Sequence, residues 1–153
     1  MGSFKAGTFT TANLVTVAST PVTLTAAQAG STVYLNNGTT ETTVNLPAGA
    51  DGLWYKFVVA NDNTNGYIIK RGTDGQLIVG GLLVVSKTAD NTAFVTSTAT
   101  NDTFFLSADT EADAAGAIGS TVQIFWNGTS WVVHGTLIAA HANPAGVDIF
   151  ADM

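Results

Sequence analysis

The sequence predicts an all-β protein, a single antiparallel β-sandwich or jelly-roll-like domain with irregular terminal arms. Three observations carry that expectation. Short runs rich in Val, Ile, Thr and aromatic residues recur along the chain, and Gly, Asn, Asp and Pro bound them. Within several runs apolar and polar side chains alternate, the period of a half-buried strand. Helical signals are confined to two short stretches, at 25–29 and 109–117, and the second is small and flexible enough to be loop. A chain of 153 residues is one domain's worth and can bury about 68–70% of its unfolded surface.

Taken in order, residues 1–20 carry Phe4 and Phe9 without a strand pattern and are expected to be an N-terminal arm. The sandwich is expected over 21–138. Residues 32–36 alternate with Val33 and Leu35 on one face, which turns Tyr34 outward. Residues 42–46 do the same with Val44 and Leu46. Asn37-Gly38 lies between them, a strong signal for a type I′ hairpin turn. Residues 54–60 place Tyr55, Phe57 and Val59 inward and Trp54 outward. Further strands are expected at 67–70, 76–79, 82–87, 93–97 and 103–107. Residues 121–126 and 130–138 form the clearest pair. Val122, Ile124 and Trp126 face inward on the first, Trp131, Val133 and Leu137 on the second, and Asn127-Gly128-Thr129 turns the chain. That pairing sets two tryptophans beside one turn, a favourable cross-strand arrangement. Residues 139–153 form a C-terminal segment in which Ile149 and Phe150 follow a Pro144-Ala-Gly146 break. Each end either packs back on the domain or docks elsewhere.

The surface chemistry is unusual. Asp, Glu, Lys and Arg make up 10% of the chain, against about 25% in ordinary soluble domains. Thr, Asn, Gly and Ala take their place. This composition points to a part built for an assembly. The net charge of −6 argues against a nucleic-acid partner, which needs clustered cations, and Lys70-Arg71 is the one adjacent basic pair. No cysteine is present, which excludes disulfides and thiolate metal sites. The longest apolar run, 77–85, is interrupted by two glycines and is short of the roughly 18 residues of a spanning helix, so no membrane partner is expected. No signal peptide is visible at the N-terminus.

Motifs that could carry chemistry have simpler readings. His134 alternates outward on the last strand, and no Gly-x-Ser-x-Gly accompanies it or His141. Residues 61–66, Asn-Asp-Asn-Thr-Asn-Gly, mimic a calcium loop, but the twelfth position is Gly72 where a bidentate Glu is needed. Asp109, Glu111 and Asp113 read as an exposed acidic loop. The sequons at Asn37, Asn101 and Asn127 lack a secretory context, and two of them are Asn-Gly-Thr turns. No catalytic residue, metal or cofactor is expected.

Val33-Tyr-Leu-Asn36, Val44-Asn-Leu-Pro-Ala-Gly49, Gly52-Leu-Trp-Tyr-Lys-Phe-Val-Val59, Ile78-Val-Gly80 and Trp126-Asn-Gly-Thr-Ser-Trp-Val-Val-His-Gly135 together form a pattern. Over residues 32–135 it resembles tailed-bacteriophage virion proteins, most of all head-decoration (cement) proteins. The resemblance implies an oligomerising β-sandwich, expected as a homotrimer, that binds the major capsid protein on the capsid exterior. It implies no catalytic residue. The alternative is a tail-fibre or receptor-binding module for host glycans, with Tyr34 and Trp54 stacking on sugars. The interface candidates are Phe4, Phe9, Tyr34, Trp54, Ile149 and Phe150.

Overall fold

The computed structural model describes residues 14–98, 100–109 and 114–151. Over these the chain is all-β, with two sheets packed face to face. The strands are β1 (Leu14–Val17), β2 (Val22–Thr23), β3 (Thr32–Leu35), β4 (Thr42–Asn45), β5 (Trp54–Val59), β6 (Tyr67–Lys70), β7 (Leu77–Ser86), β8 (Thr92–Thr96), β9 (Thr103–Leu106), β10 (Thr121–Trp126), β11 (Ser130–Ala139) and β12 (Phe150–Ala151). The larger sheet has seven strands in the order β1-β3-β5-β10-β11-β7-β8, and the smaller has five in the order β12-β9-β6-β4-β2. Single 3₁₀ turns span Ala26–Gln28 and Pro144–Gly146. No helix among the described residues is long and apolar enough to cross a membrane.

Both sheets are mixed, which corrects the expectation of antiparallel pairing throughout. The first six strands alternate between the sheets, so β1, β3 and β5 pair in parallel in one and β2, β4 and β6 in the other. The chain thus winds through three stacked rungs, in the manner of a β-solenoid. Residues 32–36 and 42–46 are therefore not a hairpin: β3 and β4 lie in opposite sheets. Asn37 does not have positive φ. Its Oδ1 instead accepts from the Thr39 amide at 3.1 Å and the Thr39 hydroxyl at 3.1 Å. This local turn needs no type I′ geometry.

Antiparallel pairs close the fold. β10 pairs with β5 on one side and β11 on the other, with Trp126 opposite Trp131. The two tryptophans, expected at this turn, meet edge to face with centroids 5.6 Å apart, and Tyr55 lies 6.1 Å from Trp131. β7 runs parallel to β11 over its full length. The two runs expected at 76–79 and 82–87 are one continuous strand. Gly80 permits this: its φ is +134°, and a Cβ there would fall 2.2 Å from the Val133 carbonyl oxygen.

The core lies between the sheets. Val33, Leu35, Tyr55, Phe57, Val122, Ile124, Trp131, Val133 and Leu137 face it from the larger sheet, and Val44, Tyr67, Ile69, Phe104 and Leu106 from the smaller. Phe57 and Phe104 bridge the sheets edge to face, with centroids 6.2 Å apart. The terminal boundaries shift. Residues 14–17 belong to a sheet rather than to an arm. The C-terminal segment packs on its own domain, with β12 paired to β9 and Val147, Ile149 and Phe150 in the core.

Candidate functional site

The outer face of the seven-stranded sheet gathers most of the large exposed apolar side chains among the described residues. Alternation along each strand sends Val33, Tyr55, Ile124, Val133 and Leu82 inward, and their neighbours Tyr34, Trp54, Phe125, Val132 and Leu83 outward. Register then aligns them in rows across the strands. Trp54, Phe125, Val132 and Val79 lie side by side, as do Tyr34, Val58, Thr121, Thr136, Leu83 and Phe94. Between these rows run Lys56, Gln123, His134 and Gly81. Phe94 is 69% exposed, and a Cβ on Gly81 would come within 2.4 Å of its ring. The glycine thus makes room for the aromatic.

Charge is segregated away from this face. None of the eleven acidic residues lies on any of the seven strands, and Lys56 is the single Lys or Arg on them. Thr16, Thr32, Thr92, Thr96, Thr121 and Thr136 supply most of the remaining polar atoms. A wide, acid-free surface with protruding aromatics suits contact with another protein, since aromatics are enriched and charges depleted in interface cores.

The expected interface residues divide three ways. Tyr34 and Trp54 are on this face, 37% and 39% exposed. Ile149 and Phe150 are in the core instead of on the surface, 1% and 7% exposed, held where β12 completes the smaller sheet. Phe4 and Phe9 lie outside the described residues. Phe125, Leu83 and Phe94 were missed, although the alternation that set Ile124 inward already sent Phe125 outward.

A second feature is a cleft of about 260 Å³ lined by Lys70, Arg71, Gly72, Thr73, Asp74, Asp102 and Thr103. Arg71 and Asp102 in it are engaged with each other. The Arg71 guanidinium meets the buried Asp102 carboxylate at 2.9 Å, and the Thr103 hydroxyl donates to the same carboxylate at 2.9 Å. The Arg71 amide also donates to the Asp102 carbonyl at 3.1 Å. The pair pins the loop after β6 to β9, so Lys70-Arg71 does more than end a strand.

The polar motifs are likewise spent on structure. In the 61–66 loop the Asn63 Oδ1 accepts from the Asn65 and Gly66 amides at 2.9 and 3.1 Å, and its Nδ2 donates to Thr40 and Gly66 carbonyls. Asp62 accepts from the Ile118 amide at 2.6 Å. His141 faces the Ala114 carbonyl oxygen at 2.9 Å, and His134 lies against Phe125 with centroids 6.2 Å apart. Glu111 and Asp113 of the acidic loop lie outside the described residues. Among the described residues no group of three His, Cys, Asp or Glu side chains is placed to hold a metal ion. The sequons at Asn37 and Asn101 are buried, and that at Asn127 is exposed.

Tyr67 ties the two sheets together. It stands on β6 in the smaller sheet, and its hydroxyl reaches the carbonyls of Asn37, Asn61 and Leu35 at 2.6, 3.0 and 3.2 Å, all at the ends of larger-sheet strands. Burial pushes this hydroxyl up to about 12; the hydrogen bond to Asn37 opposes the rise and the Asp62 carboxylate adds to it. Burial also raises Tyr55, whose hydroxyl donates to the Thr25 carbonyl at 2.8 Å. Both are fastenings of the fold, remote from the outer face. No family model matches this chain, and neither a curated protein nor a solved structure matches it.

Proposed function

We propose that this protein is a structural component of a virion, a head-decoration protein that binds and stabilises a phage capsid. The observation that carries the reading is the acid-free outer face of the seven-stranded sheet, on a chain with 10% charged residues. Such a surface favours burial against protein. The pattern over residues 32–135 supplies the kind of assembly. On this reading the partners are the major capsid protein and further copies of the chain, expected as a trimer. The mechanism is binding alone: a protein that attaches only to the assembled lattice stabilises it by mass action.

The test is co-sedimentation with capsids lacking the protein, together with the melting temperature of those capsids. Saturable binding and a rise in capsid melting temperature are the expected results; no binding would refute the reading. A second reading, a glycan-binding fibre module, is favoured by the exposure of Trp54 beside Phe125 with Lys56 and Gln123 within one row of them. Aromatic faces and nearby polar groups suit sugar stacking. Glycan-array binding that Trp54→Ala abolishes would favour it over capsid attachment.

A further inference from the structure

The geometry points to a second copy of this chain as the occupant of the outer face of the seven-stranded sheet. The inference rests on the assembly reading above and names the partner for that surface.

Area is the first argument. Seven strands spaced about 4.8 Å apart span roughly 29 Å, and six-residue central strands rise about 20 Å, so the face covers on the order of 600 Å² in projection. The side chains standing on it raise the accessible area further. A stable interface buries about 800 Å² per partner, so one face of this sheet against one like it is of the right size.

Charge is the second argument. A chain of net charge −6 repels its own copies in most orientations. The seven strands carry none of the eleven acidic side chains. The strands of the smaller sheet carry none either, so low charge makes a sheet face suitable for self-contact, and it is the exposed apolar rows that single out this one. The rows of Trp54, Phe125, Val132 and Val79 and of Leu83 and Phe94 supply the apolar contact. Sheets packed on their faces interlock such rows at about 10 Å separation.

Solution mass and amine reactivity test this. At micromolar concentration the wild-type protein should have a mass at least twice the 15.7 kDa of one chain. Leu83→Asp and Phe125→Asp should each raise the dissociation constant at least tenfold. Ile118→Asp is the control, because Ile118 is exposed in the turn before β10 and off the face. Lys56 stands exposed in the middle of the face and Lys87 is exposed outside it. Acylation of Lys56, but not Lys87, should slow as protein concentration rises. This measurement needs no variant and decides the matter if the substituted proteins fail to give the wild-type circular dichroism spectrum.

A wild-type monomer with Lys56 reacting at a constant rate overturns the inference. So does an oligomer that both substitutions leave intact while Lys56 stays reactive. If the protein is a monomer whose binding to capsids is lost in Leu83→Asp and Phe125→Asp, the face belongs to a different protein; the inference falls and the assembly reading stands. A monomer that binds no capsid ends both.

Discussion

Replacing Tyr67 with Phe removes one oxygen from the centre of the fold. That hydroxyl carries one proton among three carbonyls, and the shortest contact, 2.6 Å to Asn37, is its main bond. Leu35 has other donors in the Ala60 and Asn61 amides, so the carbonyls of Asn37 and Asn61 bear the loss. Leaving such buried acceptors without their donor costs about 1–3 kcal/mol, seen in urea unfolding at pH 8. The alkaline limb gives an independent check. The folded pKa of Tyr67 is about 12 and the unfolded value about 10. The native state therefore keeps its proton while the unfolded state loses it. Stability is fully present below pH 10 and is lost as pH rises to 12. Two units correspond to roughly 3 kcal/mol, and the ring is fully buried, so solvent screening does not discount it. Tyr67→Phe has no such group. Tyr55, the lysines and the exposed Tyr34 are common to both proteins and cancel in the difference. The wild-type advantage at pH 8 should therefore shrink and close or reverse by pH 12. Parallel stability curves for the two proteins from pH 9 to 12 would refute the reasoning.

Three further outcomes follow from packing. Trp131→Ala should cost about 3–5 kcal/mol in chemical denaturation, whereas Trp131→Phe should cost far less, because the indole Nε1 is buried without a hydrogen-bond partner among the described residues and its removal offsets part of the lost contact; equal losses would show that the N–H is satisfied. Gly80→Ala should lower the melting temperature by several degrees through the clash with Val133, and an unchanged melting curve would mean that β7 and β11 can separate locally. Ile149→Ala should lose about 2–5 kcal/mol, while a loss below about 0.5 kcal/mol, the level of a surface site, would mean that the C-terminal segment is an arm after all.

Side-chain direction was legible in the sequence because alternation depends only on the period of a strand. It correctly turned Tyr34, Trp54 and His134 outward and Val33, Tyr55, Trp131 and Leu137 inward. The β10–β11 hairpin was legible too, since its strands flank a three-residue connection. Pairing over longer distances was not. Nothing local distinguishes an Asn-Gly that reverses a strand from one that carries the chain to the opposite sheet, so β3 and β4 read as partners. The three rungs also left no period, because the register sets Thr32 against Leu14 but Lys56 against Thr32, steps of unequal length. Ile149 and Phe150 looked like anchors only because the strand that receives them, β9, lies far back in the chain.

The winding of β1 to β6 has a kinetic side. Each rung closes on its predecessor over a short stretch of chain, while β10 must find β5, and β11 must find β7, across more than twice the distance set by Leu14 and Thr32. In equilibrium terms the longer loops cost only about 1 kcal/mol more, at roughly 0.6 kcal/mol per doubling. For the rate, sequence separation matters more. The rungs can form as a local, growing stack and wait for the later strands to seal them. Until they do, Tyr55 and Phe57 on the third rung stand uncovered, and a chain paused there offers a sticky parallel edge to its neighbours. Pulsed hydrogen exchange during refolding should then protect the amides of β3 and β5 before those of β7 and β11.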